Sequence, residues 1–419
     1  MTVRVDREQN VFGRATVAEV LAWVDACPTP LGAQDVTLAQ AEGRILAGDV
    51  TTTVDLPPFD RPAVDGFAVR AEETIGASAY SPLPFRLIDP ADHLPPASAM
   101  RVHAGDRLPH GADAVALPEQ VLEEGHGACS LVDVVVPGAF IERAGSDAAH
   151  GSRLASAGRR LRATDVGLLA AASISQVRVL RQPRVRCLLT GRNLAKAGAL
   201  LLAGAVHDAN GPLLASLVAR DGGLLIERRC VDRSVTAIRD WLALSGADVI
   251  LVVGSSGPGP DDHAAAALAE AGELAMHGVA LRPGETCGMG RTASGGLTFL
   301  LPGAPVACLW SYELIAGRAI RRLSGRPAAL PFPSRRMVAA RKIVSEIGMT
   351  EICPVQCLRD GTVGPIGSNP EIGLAAAAHA DGFVIVPEGS EGYAQGAPVV
   401  VYLYDEASSN LATETDDKP

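Results

Sequence analysis

Residues 247–263, Ala247-Asp248-Val249-Ile250-Leu251-Val252-Val253-Gly254-Ser255-Ser256-Gly257-Pro258-Gly259-Pro260-Asp261-Asp262-His263, decide how the chain must be read. Val249 to Val253 is an unbroken apolar run, too short for a helix and apolar at both parities, the pattern of a strand covered on both faces. The turn from Gly254 to Gly259 closes that strand, and a helix is expected to open near Asp261. Such a turn leaves backbone N–H groups and a helix N-terminus facing whatever lies above the sheet, which in physical terms is an anion site. Taken alone it also reads as a plain tight connection. Asp261 and Asp262 read either as helix caps or, one of them, as a metal ligand.

Working outward, strand and helix patterns alternate from Arg184 to Arg326: RVRCLLTG, PLLASLVARDG, LLIERRCV, VTAIRDWLAL, the stretch above with DDHAAAALAEAG, then GLTFLLPGAP and CLWSYELIAGRAIRRL. Near-continuous apolar strands between helices predict a doubly wound α/β domain over 183–326, a parallel sheet with helices on both faces. Ligands of such sheets bind outside the carboxyl ends of the strands. Three strand ends therefore matter: CLLTG followed by Arg192 and Asn193, the glycine turn, and FLLPGAPV with Pro302 and Gly303.

Before this domain, Val17, Val20, Leu21 and Val24 recur at helical spacing, and a second amphipathic stretch ends at Gly43. Helix returns in 145–179, around TDVGLLAAASI. Between them lie short β-like runs (FAVRA, LPFRLI, MRVHAG, DAVAL, SLVDVVVPG) separated by Pro, Gly, Asp and His. The pattern predicts a discontinuous helical domain, 1–50 and 145–182, carrying an inserted β-rich lobe, 51–144. After the Pro-rich RPAALPFPS, residues 333–406 are strand-dominated and read as a small β domain, and 407–419 are a polar tail expected to fray.

Composition narrows the function classes. With 419 residues and a net charge of −10, the chain lacks the basic footprint of a general nucleic-acid binder. Its 47% hydrophobic content rules out disorder over most of the length. No secretory h-region and no apolar window of about 18 residues appears, so a cytoplasmic protein without a membrane span is expected. Eight cysteines are mostly scattered singly, and Cys353 and Cys357 read as two small side chains on a strand. Only Lys196, Lys342 and Lys418 are lysines, so positive charge comes almost entirely as guanidinium.

The segment from Leu56 to Arg70, LPPFDRPAVDGFAVR, packs acids and arginines around a Pro-Pro turn. Asp65, before Gly66, reads locally as a turn residue. The segment nevertheless resembles the LPPFDxSxMDGYAVR signature of the MoeA/gephyrin E-domain family, which inserts molybdenum into molybdopterin. The resemblance continues in order. His103-Ala104-Gly105 through Val115 is similar to TGxxxPxGADAVV, Gly145-Ser146-Asp147 to a GED-like motif, and Thr190-Gly191-Arg192-Asn193-Leu194 to TGDEL. His207-Asp208-Ala209-Asn210 is similar to YDSN, and the glycine turn to SGGVSVGxxD with Gly254, Gly259 and Asp262 matching. Arg282-Pro283-Gly284-Glu285 stands for KPGKP, Leu301 to Val306 for LPGNPVS, and ADGFVIVPEGSEGYAQGAPVVVYL for the family's last β domain.

The resemblance implies an elongated homodimer of four-part subunits: a helical domain with an inserted β lobe, an α/β domain shared with molybdopterin adenylyltransferases, and a C-terminal β barrel. It implies adenylylated molybdopterin and molybdate as substrates, Mg²⁺, adenylate hydrolysis, and a cleft between the α/β domain of one subunit and the β lobe of the other. Molybdopterin adenylyltransferase or recipient molybdoenzymes would be its partners. Carried onto this chain, Asp65 and Asp262 would be catalytic and hold the cation. Substrate would be bound by Arg192, Asn193, Asp208, Asn210, Gly254, Ser255, Ser256, Gly257, Gly259, Arg282, Pro302 and Gly303.

The chain also departs from the pattern. Arg192 and Asn193 replace the two acids of TGDEL, Ser255 replaces a glycine, Gly257 a serine, and Glu285 a lysine. Glu285 beside a bound oxyanion would be repulsive by about 1 kcal/mol at 4 Å in water. Two readings stay open: a molybdenum insertase with a rearranged site, or a catalytically degenerate paralogue that binds or delivers molybdopterin or the molybdenum cofactor.

Overall fold

The computed structural model describes residues 13–27, 29–191, 193–367 and 373–405. They form two compact units, one spanning Gln34–Val179 and the other combining the described residues up to Ala33 with those from Leu180 onward.

In the second unit, Val249–Val253 sits inside a six-stranded sheet ordered Leu224–Val231, Arg184–Thr190, Val249–Val253, Leu297–Leu301, Gly288–Thr292, Gly272–His277. The alternation of side chains along these strands builds two cores. Val185, Cys187 and Leu189, with Val249, Leu251 and Val253, face one way and meet Leu214 and Val218 of helix Asn210–Arg220 and Ile315 and Ile320 of the helical run that begins at Pro305. Leu188, Ile250, Val252 and Leu300 face the other way and meet Ile238, Trp241 and Leu242 of helix Val235–Leu242 and Ala264, Ala267 and Leu268 of helix Ala264–Ala271.

From Arg184–Thr190 the chain crosses by Asn210–Arg220 to the edge strand, then returns by Val235–Leu242 to the opposite neighbour, Val249–Val253. The switch point of the sheet thus lies between Arg184–Thr190 and Val249–Val253, where ligands of doubly wound sheets bind. Four strands are parallel, but Gly288–Thr292 and Gly272–His277 are antiparallel, so the sheet is mixed rather than wholly parallel as expected. Glycines hid this hairpin from the sequence pattern. A Cβ on Gly290 would stand 1.9 Å from the Glu273 carbonyl, so a residue that reads as a turn is required for strand pairing.

Helix Val17–Asp25 opens with a Thr16/Glu19 capping box and buries Val17, Val20 and Val24 in the α/β core. Asp25 accepts two hydrogen bonds from Arg318, at 2.8 and 2.6 Å. This helix therefore belongs with the α/β domain rather than with residues 145–182. The second stretch read as helical is instead strand Ala33–Thr37 and a 3-10 turn, Leu38–Gln40. Within 145–179 only Ala163–Ala171 is α-helical, flanked by strands Arg153–Ala155 and Gln176–Leu180. Alanine- and leucine-rich composition gave these segments a helical look that short β pairings override.

The inserted lobe is a six-stranded sheet ordered Ala114–Ala116, Gly66–Val69, Ser98–Val102, Leu83–Ile88, Ala128–Leu131, Val121–Gly125. In the C-terminal part of the chain, Thr350–Cys357, Thr362–Pro365, Ser334–Ala339, Pro398–Leu403 and Gly382–Val386 close on themselves into a five-stranded barrel, because Thr350–Cys357 also pairs with Gly382–Val386. Cys353 and Cys357 lie on one strand of it, about 13 Å apart at roughly 3.3 Å per residue, too far for a disulfide. Burial pushes the Cys353 thiol up to about 12. Among the described residues no helix is long and apolar enough to cross a membrane.

Asp248 ties down the start of the central strand. It accepts 2.8 Å bonds from both terminal nitrogens of Arg181 and a 2.7 Å bond from the Arg184 N–H. Burial by itself raises its carboxyl pKa, but these donors bring it below the ordinary value. A depressed folded pKa gives stability that is fully present above the unfolded value of about 4 and is lost as pH falls through the folded value. Asp248→Asn should therefore cost about 2 kcal/mol at pH 7 and flatten the decline in stability below about pH 4, read from urea unfolding across pH. An unchanged acid limb would remove this assignment.

Candidate functional site

At the carboxyl ends of the parallel strands, over the switch point, lies a cleft of about 900 Å³. Thr190, Gly191 and Asn193 line it from the first strand end, Gly254 to Gly257 from the second, and Pro302 to Pro305 from the third. Asp208, Asn210, Arg233, Asp261, Asp262 and Thr286 complete it. Of the residues that sequence pointed to, the cleft thus gathers Asn193, Asp208, Asn210, Gly254, Ser255, Ser256, Gly257, Asp262, Pro302 and Gly303. Gly259 and Arg282 are not on its lining, and Arg192 lies outside the described residues.

The glycine turn is shaped by backbone conformations that few residues accept. Gly254 has φ +87°, and a Cβ there would meet Thr190 Oγ1 at 2.8 Å. Ser255 follows at φ +53°, a left-handed conformation that costs a residue with a side chain about 1–2 kcal/mol. Its hydroxyl offsets part of that cost by lying 2.9 Å from the hydroxyl of Thr190, which in turn donates to the Val253 carbonyl at 3.0 Å. Ser256 is tied on two sides: its hydroxyl is 3.1 Å from that of Thr286, and its carbonyl accepts from His277 Nε2 at 2.8 Å. The N–H groups of Ser255, Ser256 and Gly257 donate to no backbone carbonyl of the described residues.

The helix after this turn begins at Ala264 with His263 as its cap, three residues beyond the expected start, so neither Asp261 nor Asp262 is its cap. Asp262 folds back into the turn, where Oδ2 accepts from the Gly259 N–H at 3.2 Å. A Cβ on Gly257 would stand 2.5 Å from the same oxygen, so a side chain there would require the Asp262 carboxylate to shift. Across the cleft, Asp208 Oδ1 accepts from the Gly211 N–H at 2.7 Å, opening helix Asn210–Arg220. Asn210 Nδ2 donates to the Gly303 carbonyl at 2.8 Å, which ties that helix to the third strand end, while Asn210 Oδ1 is buried with no partner.

Charge is distributed differently from expectation. Arg282 donates from Nε to Glu285 at 3.0 Å and also pairs with Glu346, so its charge is already met by two carboxylates. Glu285, in turn, does not stand as a bare repulsive charge. Burial raises its pKa, but its own N–H, that of Gly284 and the Arg282 guanidinium hold the carboxyl below the ordinary range. Arg233, absent from the sequence reading, is a cation that lines the cleft. It follows Val231, the end of the fourth parallel strand, so applying the strand-end rule to every strand would have found it. Thr286 was missed because its tie to Ser256 is invisible in sequence.

Asp65 belongs to the other compact unit. Its Oδ1 accepts from the Ala104 N–H at 2.7 Å, with His103 Nδ1 at 3.7 Å, and its side chain is 68% exposed. Gly66 beside it must be glycine, since a Cβ would lie 2.3 Å from the Ala116 carbonyl. Among the described residues no three His, Cys, Asp or Glu side chains form a metal-binding group. The cleft carboxylates fit Mg²⁺ only in its usual manner, through one or two carboxylates, here Asp261 and Asp262, with phosphate oxygens of a ligand completing the shell.

A mixed α/β sheet with a switch-point cleft, followed by a closed β barrel, defines a class found in comparisons with known proteins. The model of the MoeA N-terminal region (domains I and II) matches residues 15–173, that of the "probable molybdopterin binding domain" matches 187–322, and that of the MoeA C-terminal region (domain IV) matches 336–404. Molybdopterin molybdenumtransferase 2 of Mycobacterium tuberculosis is 32% identical over 385 residues, covering 88% of this chain and 94% of that protein. Molybdopterin molybdenumtransferase of Staphylococcus epidermidis is 28% identical over 408 residues, covering 89% and 92%. The crystal structure of the molybdopterin biosynthesis MoeA protein of Pyrococcus horikoshii OT3 superimposes with a TM-score of 0.71 at 27% identity, over 94% of this chain and all of that one. The chain belongs to the MoeA family.

The brace made by Asp262 separates shape from charge. Asp262→Ala should speed hydrogen exchange of the Gly259 amide by tenfold or more, whereas Asp262→Asn, which keeps an accepting oxygen, should change it less than threefold. Equal acceleration in both would mean that charge, not the hydrogen bond, orders the turn.

Proposed function

We propose that the protein serves molybdenum cofactor biosynthesis as a molybdopterin molybdenumtransferase, inserting molybdate into adenylylated molybdopterin with hydrolysis of the adenylate. The observation that carries this reading is the cleft itself. Three strand ends converge on it, it offers unbonded N–H groups from Ser255 to Gly257, and Arg233 stands on its wall. An anionic, pterin-sized ligand suits that combination of donors and volume. The family and the names of its relatives support the same chemistry.

In this reading the N–H groups and Arg233 hold the phosphate oxygens, Asn193 and Asp208 border the far side, and Asp261 and Asp262 would hold Mg²⁺ against the phosphate. Mg²⁺ would supply Lewis-acid neutralisation of charge on the pyrophosphate. Asp65 completes the site from a second subunit of a homodimer, with its exposed carboxylate directed at the cation. A cytoplasmic location and exchange of substrate and product with a molybdopterin adenylyltransferase and recipient molybdoenzymes follow from the reaction. A second reading, a binding or delivery paralogue, draws on the Arg282 charge being taken up by Glu285 and Glu346. It draws also on Arg192 and Asn193 standing where the family has two acids, because a cleft that holds the anion equally in ground and transition states tightens binding without speeding cleavage.

Single-turnover release of AMP from adenylylated molybdopterin, with molybdate and Mg²⁺, separates the two. The insertase reading expects release that depends on both additions; tight binding with no release supports the delivery reading. Arg233→Gln should weaken molybdopterin affinity about tenfold and lessen its salt dependence, as loss of one charge-assisted contact does. Asp65→Asn should abolish release while leaving the fold and binding by the α/β domain intact. A fully active Asp65→Asn protein would reduce that residue to its bond with Ala104.

A further inference from the structure

One wall of the cleft has a polarity opposite to that of its anion side. Thr190 Oγ1 lies 3.0 Å from the Val253 carbonyl and 2.9 Å from Ser255 Oγ. A carbonyl brings no proton, so the single hydroxyl proton of Thr190 is committed to Val253. The Ser255 hydroxyl must then donate to Thr190, and the Ser255 oxygen has only lone pairs left for anything that reaches it from the cleft.

Asn210 shows the same polarity independently. Its Nδ2 is fixed by the Gly303 carbonyl, which sets the orientation of the amide. That leaves Oδ1, on a residue only 9% exposed, as an acceptor without a donor on the same cleft. A buried acceptor left unpaired and a serine held at φ +53° are both unfavourable. Outliers of this kind concentrate at ligand clamps.

We propose that Ser255 is a specificity-determining residue that accepts a hydrogen bond from an N–H donor on the edge of a neutral heterocycle, an amino or ring-amide group, and keeps anionic oxygens off this wall. The inference rests on the molybdopterin reading, because a pterin ring carries such an edge. An oxyanion brought against Ser255 would face its lone pairs, and one brought against Asn210 would meet another unpaired acceptor. The phosphate is thereby directed to the N–H groups of the turn and to Arg233, and the ligand has one orientation in the cleft.

The test is equilibrium binding to the full-length protein with three probes: 6-hydroxymethylpterin, which is neutral, AMP, and molybdopterin. Ser255→Gly should weaken the neutral pterin about tenfold while leaving AMP unchanged or tighter, and its melting temperature should equal or exceed that of the unaltered protein, since glycine is at ease at this φ. Ser255→Ala should show the same loss of pterin affinity without the gain in melting temperature. Neutral-pterin affinity within twofold of the unaltered protein in both variants would overturn the proposal, as would equal weakening of all three probes. Failure of the unaltered protein to bind molybdopterin would instead overturn the reading on which the proposal rests.

Discussion

The constraint on which the structure depends is the burial of both faces of three adjacent parallel strands. Arg184–Thr190, Val249–Val253 and Leu297–Leu301 each present apolar side chains at both parities, so helices must cover both sides, and the crossovers must run in opposite directions from Arg184–Thr190. A switch point is the necessary result. The loops that leave these strands have no room beside the helices and converge above the sheet. Cleft and core are therefore one construction: the residues that stop the strands, Thr190, Gly254 and Gly303, are also its floor. Gly303 and Gly254 approach closely enough that a Cβ on Gly303 would lie 3.5 Å from the Gly254 Cα.

Within that scaffold the chain has exchanged backbone freedom and bare charge for local pairing. Where the family motif has a glycine, Ser255 takes the left-handed conformation with its hydroxyl on Thr190. Ser256 and Thr286 join the glycine turn to the loop after Arg282. Arg282 and Glu285, occupying positions of two lysines, neutralise each other and leave the cleft's positive charge to other residues. These changes move the sources of charge while the chain keeps the overall fold of its relatives, with a TM-score of 0.71 to the Pyrococcus horikoshii protein.

Much of this was legible in sequence because it rests on period and punctuation. Apolar runs such as Val249–Val253, ended by glycine, mark buried strands, and the order of the motifs along the chain marks the family. What escaped has a common physical cause: it depends on residues distant in sequence. The hairpin of Gly272–His277 and Gly288–Thr292 shows no strand pattern of its own, and only the pairing reveals that Gly290 admits the Glu273 backbone. Helix Val17–Asp25 looks like part of its sequence neighbours until Asp25 meets Arg318. Arg282 looks like an anion ligand until Glu346, far along the chain, takes its charge. Arg233 has no motif of its own, only a position at a strand end.

The central claim is that the switch-point cleft, and not another hollow, receives the pterin. The β lobe has an open hollow of about 690 Å³ lined by Asp89, Asp92, Arg101, His103 and Arg107, which makes the alternative concrete. Hydrogen–deuterium exchange of the full-length protein, with and without saturating molybdopterin, addresses this directly. The account predicts slowed exchange in the strand-end loops 189–194, 254–262 and 302–306, strongest at the unbonded N–H groups of Ser255 to Gly257. Protection confined to 87–107, or none in the three strand-end loops despite saturable binding, would contradict it.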